Sequence, residues 1–161
     1  MKILISACLL GENCKYNGSN NLNLELFEWL KEKFNVKFGF SKFSHDDIIT
    51  VCPEVLADFE VPRPAIELVN VGGERRAKTK DGKDLHDELM NGVKKALNLA
   101  VENGVELAIL QPRSPSCGVR HIYDGTFSRK LINESGVFAY ALKKQGIKAV
   151  DVDEMDFKKS L

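Results

Sequence analysis

Four cysteines are scattered along the chain, and no two of them form a Cys-x-x-Cys pair. That absence removes the usual structural zinc knuckles and the thioredoxin-type redox motif. Charge of neither sign is in surplus, with 23 Lys and Arg against 23 Asp and Glu. A balanced chain gives no electrostatic case for a nucleic-acid partner or an anionic membrane surface. No apolar run approaches the roughly 20 residues that span a bilayer. Ile5-Ser6-Ala7-Cys8 resembles a lipoprotein cleavage box, but only five residues separate Lys2 from Cys8. A secretory h-region takes about 7–15, so no leader is expected. Low-complexity tracts and internal repeats are also missing. The expectation is a cytoplasmic protein, where cysteines serve as metal ligands or catalytic groups more often than in stable disulfides.

What is present is an ordinary globular balance, 43% hydrophobic and 29% charged over 161 residues, enough for one domain, 1–161, with a sizeable core. Strands are predicted at 2–6, 47–51, 106–110 and 148–152. Between them the apolar spacing predicts helices at 23–34, 85–102 and 134–145, with a short one at 55–57 that has Pro53 in its first turn. Leu26, Phe27, Leu30 and Phe34 mark the core side of the first helix. Asp84 is the expected N-cap of the longest, and Gly104 follows its end. Residues 66–80 read as a strand pair turned at Gly72-Gly73. Residues 35–46 are aromatic and basic without clear period, an ordered insertion or a short extra strand. Strands alternating with helices predict an α/β fold: a three-layer, Rossmann-like domain with a mostly parallel sheet and a small β-hairpin excursion.

Three cysteines share one kind of place. Cys8 follows the apolar run 2–6, and Cys52 follows Ile48-Ile49-Thr50-Val51. Cys117 sits in Ser114-Pro115-Ser116-Cys117-Gly118, just past Leu107-Ala108-Ile109-Leu110. In an open α/β sheet, ligands bind outside the carboxyl ends of the strands, where three such thiols can meet. Three thiolates can hold three irons of a cubane cluster and leave the fourth open as a Lewis acid. A zinc ion with one open position competes with that reading, and so does the duller one, in which Cys8 and Cys52 are small buried hydrophobes. The Cys117 loop is a poor place to hide a side chain. Glu54, two residues past Cys52, either faces a metal or is a solvated carboxylate at a helix start. Ser114 and Ser116 either face a ligand or bond their own loop. His121 is a ligand, a base or a surface residue. Arg63 and Glu67 grip a substrate or pair with each other, and Phe38, Phe40 and Phe43 read as packing rather than a stacking platform.

At these residues the chain resembles the thiouracil desulfurase (TudS) family. The resemblance rests on Ser6-Ala7-Cys8-Leu9-Leu10-Gly11 with Cys14 and Tyr16, on Val51-Cys52-Pro53-Glu54-Val55-Leu56, and on Pro62-Arg63-Pro64. It continues through Lys80-Asp81-Gly82, the Ser114 to Gly118 loop, and Ile122-Tyr123-Asp124-Gly125-Thr126-Phe127-Ser128. Lys15 and Asn17 depart from the Arg and Asp usual in the family. The resemblance implies a [4Fe-4S] cluster held by Cys8, Cys52 and Cys117, with one open iron that takes the thiocarbonyl sulfur of a thiolated pyrimidine. Sulfur then leaves without net redox change. The family's catalytic carboxylate maps to Glu54 and its serine to Ser114, with Ser116 adjacent. The implied partners are a small thiolated base and a possible sulfur acceptor, with no membrane and no nucleic acid. Cys14 is open between sulfur acceptor, structural thiol and spare. The alternatives are a metal-binding module, iron–sulfur or zinc, without catalysis, and then a small phosphatase-like thiol enzyme built on 8–15.

Overall fold

The computed structural model describes residues 1–35 and 45–159. In chain order the elements are β1 (Lys2–Ser6), α1 (Leu24–Phe34), β2 (Ile48–Val51), α2 (Pro53–Leu56), β3 (Ile66–Val71) and β4 (Glu74–Thr79). They continue with α3 (His86–Glu102), β5 (Val105–Leu110), β6 (Ile122–Tyr123), β7 (Leu131–Ile132), α4 (Val137–Lys144) and β8 (Lys148–Asp151). The main sheet has the order β2-β1-β5-β8, and all of its pairs are parallel. The predicted α/β class with a small hairpin is what forms.

β1 and β5 lie in the middle, and their stretches Ile3 to Ile5 and Leu107 to Leu110 are buried on both faces, which is why those stretches read as unbroken apolar runs. Period-two alternation sends their side chains to opposite layers. Ile3, Ile5, Leu107 and Ile109 pack with Leu26, Trp29 and Leu30 of α1. Leu4, Ala108 and Leu110 pack with Leu89, Val93 and Ala96 of α3 and Phe138 and Leu142 of α4. Trp29 takes the buried seat on α1 expected of Phe27, which is only half-buried and lies under the Lys31 ammonium at 5.7 Å.

Gly92 sets how α3 meets the rest. A Cβ there would lie 2.0 Å from the Pro53 carbonyl oxygen, so only glycine lets the α2 backbone rest on α3. That contact fixes the turn carrying Cys52 and Glu54.

Several expectations shift. α3 starts at His86 with Leu85 as its cap residue, and Asp84 stands one step earlier, accepting the His86 N–H and pairing with Arg76. α4 starts at Val137 rather than 134, because Gly136 is extended. The turn-rich stretch after Ile122 holds a second antiparallel ribbon, β6–β7, too short to leave a periodic signal. The reading of 35–46, with Phe38, Phe40 and Phe43, falls mostly outside the described residues. No helix among the described residues is long and apolar enough to cross a membrane.

Candidate active site

Beyond the carboxyl ends of β1, β2 and β5 lies a cavity of about 530 Å³. It sits where the strand order reverses between β1 and β5, the usual ligand position in such sheets. All four cysteines line it, with Glu54, Arg63, Ser114 and Ser116. Cys8 is carried by a 3-10 turn, Ala7–Leu10, and Cys52 immediately precedes α2. The three strand-end thiols share one cavity, and Cys14 lines it with them.

The Cys117 loop is clamped from several sides. The first N–H groups of a helix have no partner inside it. Those at the start of α4 donate to the loop: Gly136 to the Gly118 carbonyl at 2.7 Å, Val137 to Pro115 at 3.0 Å and Phe138 to Ser116 at 2.9 Å. A side chain at 136 would put a Cβ 2.5 Å from the Ser116 carbonyl, so glycine allows the approach. Asp151, at the end of β8 and buried, accepts the Val119 and Arg120 N–H groups at 2.8 and 3.1 Å. Inside the loop, the Ser114 hydroxyl accepts the Ser116 and Cys117 N–H groups at 3.3 and 3.1 Å. Ser116 is fully buried, whereas Ser114 is half-buried on the cavity wall. The buried Ser6 hydroxyl accepts the Gln111 N–H at 3.0 Å, tying the end of β1 to that of β5, and the Ser116 hydroxyl lies 3.7 Å from the Cys117 sulfur.

Glu54 is held by Arg63. One guanidinium nitrogen, Nη2, donates to Glu54 Oε2 at 3.0 Å and to the Cys14 carbonyl at 2.9 Å. Both side chains are nearly covered, 8% exposed for Arg63 and 15% for Glu54. The possible Arg63–Glu67 pair does not form. Arg63 turns to the buried carboxylate, and Glu67 receives the backbone N–H groups of Gly125 and Phe127. His121 does not line the thiol cavity; it lines a second one beside Arg113 and Arg120.

Burial raises the Glu54 pKa above the ordinary carboxylate range, and the Arg63 charge and hydrogen bond limit the rise. Burial also pushes the Cys117 thiol up to about 12, against hydrogen bonds from Ser6 and Ser116. A hydrogen bond with Cys52 draws the Cys14 thiol down, but contact with Cys8 and burial carry it up to about 12. The Cys52 thiol is raised by its bond to Cys14 and by burial. Thiols held this high are protonated at neutral pH, and a bound metal group takes the place of those protons.

Among the described residues, no three His, Cys, Asp or Glu side chains converge closely enough to hold a single metal ion. The cavity offers a soft, all-thiol donor set with no histidine, which suits an iron–sulfur cluster.

A model of the 2-thiouracil desulfurase family matches residues 3–154. The chain belongs to this family. It is 34% identical over 160 residues to the uncharacterized protein YbbK of Bacillus subtilis strain 168, a match covering 96% of this chain and 97% of that one. Among solved structures it resembles a [4Fe-4S]-dependent thiouracil desulfidase, TudS, with TM-score 0.80 and 29% identity. That likeness covers 96% of this chain and 92% of the other.

In this member of the 2-thiouracil desulfurase family, the site also takes in residues that the sequence did not single out one by one. Gln111 follows β5 directly, with its side-chain oxygen 4.0 Å from the Cys8 sulfur. Tyr123, in β6, and Phe127, in the connection from β6 to β7, also line the cavity. Both lie in the Ile122 to Ser128 motif, so the motif was the signal and only their direction was hidden.

Proposed function

We propose that the chain is a [4Fe-4S]-dependent desulfurase acting on a thiolated pyrimidine of the 2-thiouracil type, with Cys8, Cys52 and Cys117 as the cluster ligands. The observation that carries this reading is the meeting of three strand-end thiols with a buried, arginine-held carboxylate in one cavity. When bound, a cluster with one open iron supplies a Lewis acid for the thiocarbonyl sulfur. Glu54 accepts a proton from the water that attacks the thiocarbonyl carbon, and its raised proton affinity suits it to that task. Arg63 keeps the carboxylate fixed in place. Ser114, on the cavity wall, orients the base through its hydroxyl, while Ser116 serves the loop. Oxygen from water replaces sulfur, which leaves as sulfide or passes to an acceptor, and no electrons are gained or lost. Four unpaired thiols accord with a reducing, cytoplasmic setting.

The test is anaerobic purification and reconstitution followed by iron, acid-labile sulfide and 2-thiouracil turnover. About four of each per chain, with release of uracil, is the expected result. Glu54→Gln is expected to keep the iron and lose turnover. A fully loaded protein that releases no oxo-base from any thiolated pyrimidine would overturn the reading in favour of a non-catalytic cluster module.

A further inference from the structure

The segment after Ile122 has an unusual backbone. Gly125, Phe127 and Arg129 have φ of 91°, 55° and 62°, so every second residue lies in the left-handed region. For a bulky residue such as Phe127 that conformation is an outlier and persists only when its surroundings impose it. Gly125 is pressed onto β3, where a Cβ would come 2.6 Å from the Leu68 carbonyl oxygen. Backbone N–H groups that converge in such a turn form a concave nest for an anion. Here the nest is filled from within the molecule. Glu67 Oε1 accepts the N–H groups of both Gly125 and Phe127, each at 3.1 Å. Asp124 adds a local brace by accepting from the Thr126 N–H and hydroxyl at 2.9 and 2.6 Å. The residue so constrained is the one whose half-buried ring lines the thiol cavity.

The geometry points to Glu67 as a positioning residue for substrate specificity. Its carboxylate, reaching from β3, sets the backbone that presents Phe127 as the aromatic wall against which a planar pyrimidine lies. This rests on the proposed desulfurase reading for the identity of the ligand and goes beyond it in assigning the ring wall and its support. Glu67 also borders the cavity, but its Oε1 is committed to the Gly125 and Phe127 N–H groups, so its role is to act through Phe127. It selects which flat ring is held.

The test compares Glu67→Ala, Glu67→Gln, Phe127→Ala and the double variant Glu67→Ala/Phe127→Ala, all as cluster-reconstituted protein, with 2-thiouracil as probe. Loss of a ring that stacks on a base raises KM roughly tenfold or more. Glu67→Ala and Phe127→Ala are both expected to do so with kcat and iron content kept. The double variant is expected to match either single one, because both changes remove the same wall. Glu67→Gln retains an acceptor oxygen and is expected to restore KM. Hydrogen exchange across 124–130 supplies a readout independent of turnover: slow in wild type and in Glu67→Gln, fast in Glu67→Ala. Unchanged KM in Glu67→Ala, or additive effects in the double variant, overturns the assignment while leaving the desulfurase reading intact. If wild type carries no cluster or does not turn over, the desulfurase reading fails instead. Exchange then decides alone, and equal rates in wild type and Glu67→Ala overturn the positioning role.

Discussion

Loop 115–118 and loop 12–21 both bring a cysteine to the same cavity, and they are held in different ways. The first is fastened by other elements: the N–H groups of α4 and, immediately after the loop at Val119 and Arg120, the Asp151 carboxylate at the end of β8. The second is largely bonded to itself, through Gly18 to Lys15 at 2.9 Å, Lys15 to Ser19 at 3.2 Å and the Asn20–Asn13 side chains at 2.9 Å. Its outside ties are the Glu12 N–H to the Ala7 carbonyl, the Asn21 N–H to the Cys8 carbonyl, the Cys52 thiol to the Cys14 carbonyl at 3.9 Å, and the Arg63 bonds to the Cys14 and Tyr16 carbonyls. Cys117 is thus placed by several elements of the α/β framework, whereas the Cys14 carbonyl is held by the Cys52 thiol and by the arginine that also holds Glu54. A ligand loop gains rigidity from the number of independent elements it bonds, not from its own turns.

The largest expected contrast is in metal content. Cys117→Ala, like Cys8→Ala and Cys52→Ala, is expected to lose most of its iron, and Cys14→Ala to keep about four irons per chain. Iron and acid-labile sulfide after anaerobic reconstitution read this directly, and equal loss in all four variants would erase the distinction between the loops. Next in size is Arg63→Met, which leaves the buried Glu54 carboxylate without its partner. Breaking one side of a covered ion pair costs about 3–5 kcal/mol, read as a lower urea midpoint at unchanged slope. A loss well under that would mean that water reaches Glu54 and loop 12–21 has other support. Gly136→Ala drives a Cβ into the Ser116 carbonyl, and overpacking of this kind costs about 1–3 kcal/mol. The smallest effect belongs to Gly18→Ala in the other loop. Nothing lies within 4 Å of its Cβ, so only the left-handed backbone strain remains, about 1 kcal/mol. Reversal of these last two in denaturant melts would contradict the difference in bracing.

The parallel sheet was legible because Ile3 to Ile5 and Leu107 to Leu110 are buried on both faces and must be apolar throughout. The hairpin was legible because Gly72-Gly73 marks its turn. The strand-end position of Cys8, Cys52 and Cys117 followed from those strands, and their shared cavity follows from the strand order. What stayed hidden is set by direction rather than by residue type. Arg63 could face Glu54 or Glu67, and only the packing of the segment before β3 against loop 12–21 decides. Gly92 and Gly136 sit at helix positions where spacing alone gives no hint that another backbone passes against them. Cys14 looked like a loop residue because its neighbours are polar. Its burial comes from packing with Ala7, Cys8 and Leu9 and against Cys52, not from its neighbours in sequence.

The register of β1 against β5, Ile3 beside Leu107 and Ile5 beside Ile109, joins parts of the chain far apart in synthesis. The middle of the sheet cannot close until β5 exists, and loop 115–118 cannot take its shape before α4 and β8 follow it. Such non-local pairing is slow to form and comes late. The thiol cavity therefore draws on both ends of the chain and cannot be completed before α4 and β8 have been made.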